Sequence, residues 1–194
     1  MFKILKILSP LLLATFISFN AHASVIYTFS FENVVGTVSG RVEGTITFDF
    51  LSSISDSGIG AASQLQITSF PVGLPSLNEG DLVTNWQAQA VNLFTVVNGQ
   101  ITDYQFGASE GNPPTTNDSV FCLNNGGQFN IPGTPRAYIC GNGENYLGDA
   151  SSYVYNFSGI QGVTFSEGIA VSTPSATILF AIGIAGIFLR KRKI

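Results

Sequence analysis

The chain has 194 residues, of which 45% are hydrophobic and only 10% are charged, which is enough for one ordinary domain plus targeting segments. Between residues 24 and 170 there are two bases against twelve acids, a net charge of −10. Such an acidic surface repels phosphate backbones, so the composition argues against nucleic acid as a partner.

Residues 1–23 have the three parts of a secretory signal peptide. Two lysines near the start form the positive region, and an apolar stretch from Ile7 to Phe19 follows them. Ala21 and Ala23 then form a small-residue cleavage site before Ser24. The pattern predicts removal by signal peptidase. The alternative is an N-terminal membrane anchor, which the short apolar stretch disfavours.

Period-two spacing begins directly after this leader. Tyr27, Phe29 and Phe31 alternate with Ile, Thr and Ser, which predicts a strand with one aromatic face. Residues 34–50 continue in the same style, and their regularly spaced glycines indicate a bend or bulges. A further strand is predicted over residues 64–70, ending at a proline.

Asn98-Gly99 between two β-rich runs is the clearest local signal, because this pair favours a type I′ hairpin turn. It predicts antiparallel strands over residues 91–97 and 100–106. Counting outward from the turn places Val96 opposite Ile101, and Leu93 opposite Tyr104. The residues expected to share the core face are Val91, Leu93, Tyr104 and Phe106.

Residues 107–150 are dense in Gly, Asn and Pro, and predict a long excursion or several short loops. Final strands are expected over residues 153–157 and 162–165. No long amphipathic helix is visible in residues 24–170. We therefore expect an all-β fold, a single β-sandwich of jelly-roll type.

Cys122 and Cys140 are the only cysteines, and the leader indicates export. A disulfide that staples the surrounding loop is the expected state. A reactive thiol or a metal site is the alternative, although two thiols without histidine make a poor zinc site.

Catalytic residue types are scarce in the predicted domain. The one histidine, His22, lies in the leader, and residues 24–170 contain no lysine. This composition argues against Ser-His-Asp and Ser-Lys catalysis and against most zinc chemistry, and no nucleotide-binding loop is visible. The prediction is that the chain is not an enzyme and has no cofactor or metal site. Paired carboxylates for glycoside hydrolysis are the enzymatic alternative.

Two features suggest ligand binding instead. Trp86, if exposed, has a ring that can stack on a sugar, whereas a buried Trp86 belongs to the core. Turns at residues 56–58 and 141–145 offer hard oxygen ligands, so calcium is the ion to consider. Ordinary turn chemistry is the competing interpretation of both segments.

The C-terminal segment, residues 171–194, is organised in three parts. A short motif is followed by the apolar stretch Ala176–Leu189, fourteen residues that as a helix span about 21 Å, less than the roughly 30 Å of a bilayer core. The chain closes on a basic stop. Its residues are Arg190, Lys191, Arg192 and Lys193.

This layout resembles the PEP-CTERM sorting signal. The usual motif of that family is Val-Pro-Glu-Pro, and this chain has Val171, Ser172, Thr173 and Pro174, which keeps the outer Val and Pro without the central Pro-Glu. The resemblance implies recognition by an exosortase-type membrane enzyme, cleavage near Pro174, and release to the surface or matrix of a Gram-negative cell. A simple C-terminal membrane anchor is the alternative.

The sequence thus predicts three segments, a signal peptide (1–23), an acidic all-β domain (24–170) and a sorting or transmembrane tail (171–194). The expected function is a structural or adhesive protein of the cell surface or extracellular matrix, with extracellular polysaccharide as a partner. The second hypothesis is a carbohydrate- or calcium-binding module held at the membrane by its C-terminal helix.

Overall fold

The computed structural model describes residues 23–33, 39–73, 77–111, 118–126, 129–131, 138–140, 145–149 and 162–172. Residues 24–170 form one compact unit. The predicted strand over residues 153–157, the apolar tail and most of the leader lie outside the described residues.

The described part is built from strands and one 3₁₀ turn, Val83–Asn85, so the all-β prediction is confirmed. The strands are, in chain order, β1 (Ala23–Asn33), β2 (Gly40–Phe48), β3 (Gly58–Gly60), β4 (Gln64–Ser69), β5 (Ala88–Val97), β6 (Gln100–Ser109), β7 (Ser119–Asn124), β8 (Phe129–Ile131), β9 (Tyr138–Cys140), β10 (Asn145–Asp149), β11 (Thr164–Phe165) and β12 (Ile169–Ser172). Among the described residues no helix has the length and apolar character needed to cross a membrane.

The strands form two five-stranded sheets and a small ribbon. The first sheet has the order β11-β1-β2-β4, with β12 also paired to β1. The second has the order β10-β7-β6-β5-β3, and β8 pairs with β9 in the ribbon. Neighbouring strands in the recorded pairs run antiparallel.

The aromatic face predicted for the first strand is confirmed. Tyr27, Phe29 and Phe31 are buried, whereas Thr28 on the opposite face is exposed. The β2–β4 register shifts between Glu43 and Gly44, but the extra residue is Thr68 on β4, so this bulge lies opposite the glycine and not in the strand that carries it.

One hydrophobic core takes its side chains from both five-stranded sheets. Ring contacts join them: Phe48 lies 5.2 Å from Phe94, and Phe29 lies 6.0 Å from Phe121, between ring centroids. Since aromatic side chains bury large apolar areas, these contacts supply much of the burial that holds the two sheets together.

The hairpin is confirmed, and its turn has positive φ at Asn98 (51°) and Gly99 (75°), as a type I′ turn requires. Val96 faces Ile101 as predicted. Beyond that pair the register shifts by one residue, so Phe94, not Leu93, faces Tyr104.

This shift makes part of the core prediction wrong. Tyr104 and Phe106 are buried, but Leu93 is 45% exposed and Val91 is only half-buried. An extra residue in one strand of a pair reverses which side chains share a face, because side chains alternate with a period of two. Phe94 and Val96 are the β5 side chains that enter the core.

Residues 107–150, predicted as loops, hold four strands in their described part, β7 to β10. Their asparagines are part of the structure. Asn124 Nδ2 donates to the Cys140 carbonyl, 3.0 Å away, and Asn145 Oδ1 accepts from the Asn124 backbone, 3.2 Å away. The loop prediction was wrong because buried asparagines that bond the backbone look, in sequence, like turn residues.

Two further asparagines each make two hydrogen bonds with the backbone of a single residue, one as donor and one as acceptor. Asn33 donates to the Leu147 carbonyl (2.7 Å) and accepts from the Leu147 N–H (3.2 Å), which ties the end of β1 to β10 in the other sheet. Asn92 makes the same pair of bonds with Ala62, at 2.9 and 2.8 Å. Each side chain therefore pairs with the backbone as a neighbouring strand does.

Candidate functional site

The predicted processing sites lie at the ends of the described chain. Ala23 and Ser24 begin β1, and the Ser24 hydroxyl donates to Asp49 Oδ1 at 2.7 Å. Val171 and Ser172 end β12. Ala21, Thr173, Pro174 and the basic residues Arg190, Lys191, Arg192 and Lys193 lie outside the described residues, so the sorting motif and the basic stop stay predictions.

The disulfide between Cys122 and Cys140 is present, with Cα atoms 6.0 Å apart. It joins β7 to β9 and sits in a small second hydrophobic cluster with Ala88, Val120 and Tyr146. Because both sulfurs are bonded and both residues are buried, this pair offers no free thiol for catalysis or metal binding.

The turn at Asp56, considered above for calcium, is closed by its own hydrogen bonds. Asp56 Oδ2 accepts from the Ser52 hydroxyl, the Ser52 N–H and the Ser53 N–H, each at 2.8 Å. These bonds, with that from the Ser52 hydroxyl foremost, lower the pKa of the Asp56 carboxyl. The carboxylate already has a structural role as the acceptor that organises this loop.

This loop also supports the hairpin turn. The Asp56 carbonyl accepts from the Gly99 N–H at 3.0 Å, and the Tyr27 hydroxyl donates to the Gly99 carbonyl at 3.1 Å. Burial, and secondarily the negative charge of Asp56, raise the pKa of Tyr27. The second calcium candidate, residues 141–145, lies outside the described residues except for Asn145.

Trp86 is half-buried and packs against the main core, directly after the 3₁₀ turn. It lines neither of the two grooves described below. Its position is therefore closer to the core interpretation than to an open stacking platform, and the prediction that it binds a sugar stays untested.

A groove of about 380 Å³ lies on the outer face of the first sheet. Small-molecule sites commonly fall in the range of roughly 300–1,000 Å³. Hydroxyl-bearing residues from four strands and from the position after β11 line it: Thr28, Ser30, Thr45, Thr68, Thr164 and Ser166. We call it the hydroxyl groove.

The sheet register explains how the hydroxyls converge. Thr28 lies directly opposite Thr45 across β1 and β2. Thr68 is the extra residue at the β2–β4 bulge, where Gly44 pairs with Ile67 and Glu43 with Ser69. Bulges redirect the side chain they add, and Thr68 is exposed in the groove lining.

One ion pair borders the hydroxyl groove. Arg41 Nε lies 2.6 Å from Glu43 Oε1, with 60% and 45% of the two side chains exposed. Arg41 Nη2 also donates to the Ser30 hydroxyl at 3.0 Å. The two charges cancel, so the lining combines polar hydroxyls with no net charge.

A second groove of about 400 Å³ adjoins the first and shares its Thr164, Phe165 and Ser166. Phe165 is half-buried, with its ring centroid 5.1 Å from that of Tyr104. Burial raises the pKa of Tyr104, although hydrogen bonds with the Asn145 side chain and the Val163 backbone act in the opposite direction.

Carboxylates do not pair in either groove. Glu43 is the one acid lining the hydroxyl groove, and Glu167 is the one lining the second. Across the part of the chain that the structure describes, no group of three or more His, Cys, Asp or Glu side chains is placed to hold a metal ion.

Comparison with known proteins adds no assignment, since neither a family, a curated protein nor a solved structure matches this chain. The groove residues were also missed by sequence reasoning, which treated the polar face of the first strand only as the solvent side. The available signal was the alternation that puts Thr28 and Thr45 on one face of adjacent strands.

Proposed function

We propose that this chain is an exported protein of the cell surface or extracellular matrix, sorted by a PEP-CTERM-like tail, with a structural or adhesive and non-enzymatic role. In this proposal residues 24–170 are a jelly-roll-like β-sandwich, and residues 171–194 are a sorting tail with a C-terminal apolar helix. Signal peptidase and an exosortase-type enzyme process it, and it passes through the inner membrane to the surface.

The disulfide is the observation that most supports export. Cys122 and Cys140 are bonded to each other. Such bonds persist in oxidising compartments and are rare where thiols are kept reduced. Together with the leader and tail that the sequence predicts, this favours a folded domain outside the cytoplasm.

Terminal sequencing and intact mass of the protein recovered from fractionated cells test the proposal. The expected mature chain begins at Ser24, ends near Pro174 and is found outside the inner membrane. A chain that still ends at Ile194 in the membrane fraction contradicts sorting, and means that the tail is a permanent anchor.

The carbohydrate- or calcium-binding module is the second candidate. The hydroxyl groove favours its carbohydrate form, because the groove offers unoccupied hydrogen-bonding groups and no charge excess. Calorimetric titration with calcium tests the other form, and heat of binding at millimolar calcium or below supports it.

A further inference from the structure

We propose that the hydroxyl groove binds a neutral, extended polysaccharide, whose chain runs across strands β1, β2 and β4. This inference relies on the proposed function only for the compartment in which the polymer is met. The binding itself is independent of whether the tail is cut.

The threonine hydroxyls that line the groove are available to a ligand. Within the described residues, the hydroxyls of Thr28, Thr45 and Thr68 form no intramolecular hydrogen bond, although they line one groove. A threonine hydroxyl donates one hydrogen bond and accepts others, which matches the mixed donor and acceptor character of a sugar hydroxyl.

The distance between neighbouring strands suits a polymer of sugar units. Neighbouring strands lie about 4.8 Å apart, which is close to the length of one sugar unit in an extended glycan. Thr28 and Thr45 are direct partners on β1 and β2, whereas on β4 Gln66 lies opposite Thr45 and Thr68 lies two residues further along the strand. A polymer that crosses the strands obliquely therefore presents successive sugar units to Thr28 and Thr45 and reaches Thr68 at the β4 bulge.

The charges of the domain and of the groove favour a neutral polymer over an anionic one. The acidic domain repels a polyanion over long distances. The groove itself carries only the compensated Arg41–Glu43 pair. The bonds from Arg41 to Glu43 and Ser30 hold the guanidinium in place, so its remaining donors are preorganised for adjacent ligand hydroxyls. A neutral ligand satisfies these groups without leaving a charge unpaired.

Affinity electrophoresis of the full-length chain in mild detergent tests this proposal. The gels contain hydroxyethyl cellulose, the neutral polysaccharide fraction of the protein's own cells, or anionic alginate. We expect retardation by a neutral polymer and none by alginate. Retardation by the cells' own fraction alone assigns an endogenous polymer, and retardation by both assigns the general class.

The double variant Thr28→Val/Thr45→Val keeps the branched side chains and removes two hydroxyls. We expect its retardation constant to fall about tenfold, since each hydrogen bond contributes roughly 0.5–1.5 kcal/mol and 1.4 kcal/mol corresponds to tenfold. The matched control, Thr95→Val/Thr102→Val, changes the same residue type on the second sheet and should bind like the parent chain.

Arg41→Gln is an independent variant on an exposed side chain. It should weaken retardation while leaving the thermal unfolding midpoint unchanged, even if the double valine variant folds poorly. No retardation by either neutral polymer, stronger retardation by alginate, or equal loss in the control variant overturns the proposal. A chain that binds normally but keeps its tail in the membrane contradicts only the proposed sorting.

Discussion

Replacing Asn33 by alanine removes both bonds that join β1 to Leu147. Asn33 is only 1% exposed, so water does not readily replace the lost partner. The substitution leaves the N–H and C=O of Leu147 unsatisfied in a buried position. Each unsatisfied buried group costs about 1–3 kcal/mol, so we expect Asn33→Ala to lower the free energy of unfolding by about 2–4 kcal/mol.

Asn92 provides the matched comparison, because its amide makes the same two bonds with the backbone of Ala62. Asn92 is half-buried, so solvent can take over its role. We expect Asn92→Ala to cost only about 1 kcal/mol, near the net value of an exposed or partly exposed hydrogen bond.

Urea unfolding followed by Trp86 fluorescence measures the free energy of unfolding of both variants, and thermal unfolding gives their Tm. At this chain length 1 kcal/mol shifts Tm by about 2–4 °C, so Asn33→Ala should lose roughly 5–15 °C. Equal losses in the two variants, or a loss below about 0.5 kcal/mol for Asn33→Ala, refute the argument from burial.

The sign of a pH effect gives a further check on Asn33. In the Asn33→Asp variant one carboxylate oxygen keeps the N–H of Leu147 and the other faces its carbonyl; burial and the repulsion from that carbonyl favour the protonated form. The folded pKa of that carboxyl is then raised above its unfolded value of about 3.9. Its contribution to stability is present at lower pH and is lost as pH rises. A variant that gains stability between pH 4 and 7 contradicts this account.

Three other expectations concern different parts of the domain. Removing the disulfide with Cys122→Ala/Cys140→Ala should lower the free energy of unfolding by about 3 kcal/mol, because the bond closes a loop with a sequence separation of 18. Gly99→Ala should destabilise strongly in thermal unfolding, since φ is +75° and an added Cβ would collide with a carbonyl oxygen of the neighbouring loop. Gly162→Ala, with no atom within 4 Å of the added Cβ, is its control. Burial raises the pKa of Tyr104 above 10.0, so its contribution to stability is complete below pH 10 and is lost as pH rises through the folded pKa. Tyr104→Phe should flatten that alkaline loss in a pH series of melting curves.

Each of these has an outcome that contradicts it. A double cysteine variant as stable as the parent chain means that the disulfide does not constrain the unfolded state. Equal Tm values for Gly99→Ala and Gly162→Ala rule out the steric argument. A Tyr104→Phe variant with the parent's alkaline transition assigns that transition to another group.

Local patterns of short range were read correctly from the sequence. The alternation around Tyr27 and Phe29 fixes which face of β1 is buried, because aromatic side chains on one face must be removed from water. Asn98-Gly99 fixes the hairpin turn, because few residue pairs tolerate two positive φ angles. Both signals are contained within a few residues and depend on no distant partner.

Features that depend on contacts between residues far apart in the sequence were not predicted. The bulge beyond Val96 places Leu93 on the face opposite to the predicted one, and no residue near the bulge predicts it from the sequence. Asn124 and Asn145 lay in a segment predicted as loops, because their burial depends on strand pairings that form only in the folded domain. The hydroxyl groove was missed for the same reason, since Thr28 and Thr68 come together only when β1, β2 and β4 pair.

The pairing of β1 with β11 has a consequence for the timing of folding. Phe29 lies opposite Phe165, and the Thr28 backbone bonds to Ser166, 138 residues later. Synthesis proceeds from the N-terminus, so the first strand emerges early and waits for almost the whole domain before its second neighbour arrives. Pairings of such separation close slowly and leave an unpaired strand edge exposed meanwhile. The chain therefore passes through a long interval in which its most aromatic strand needs protection from other chains.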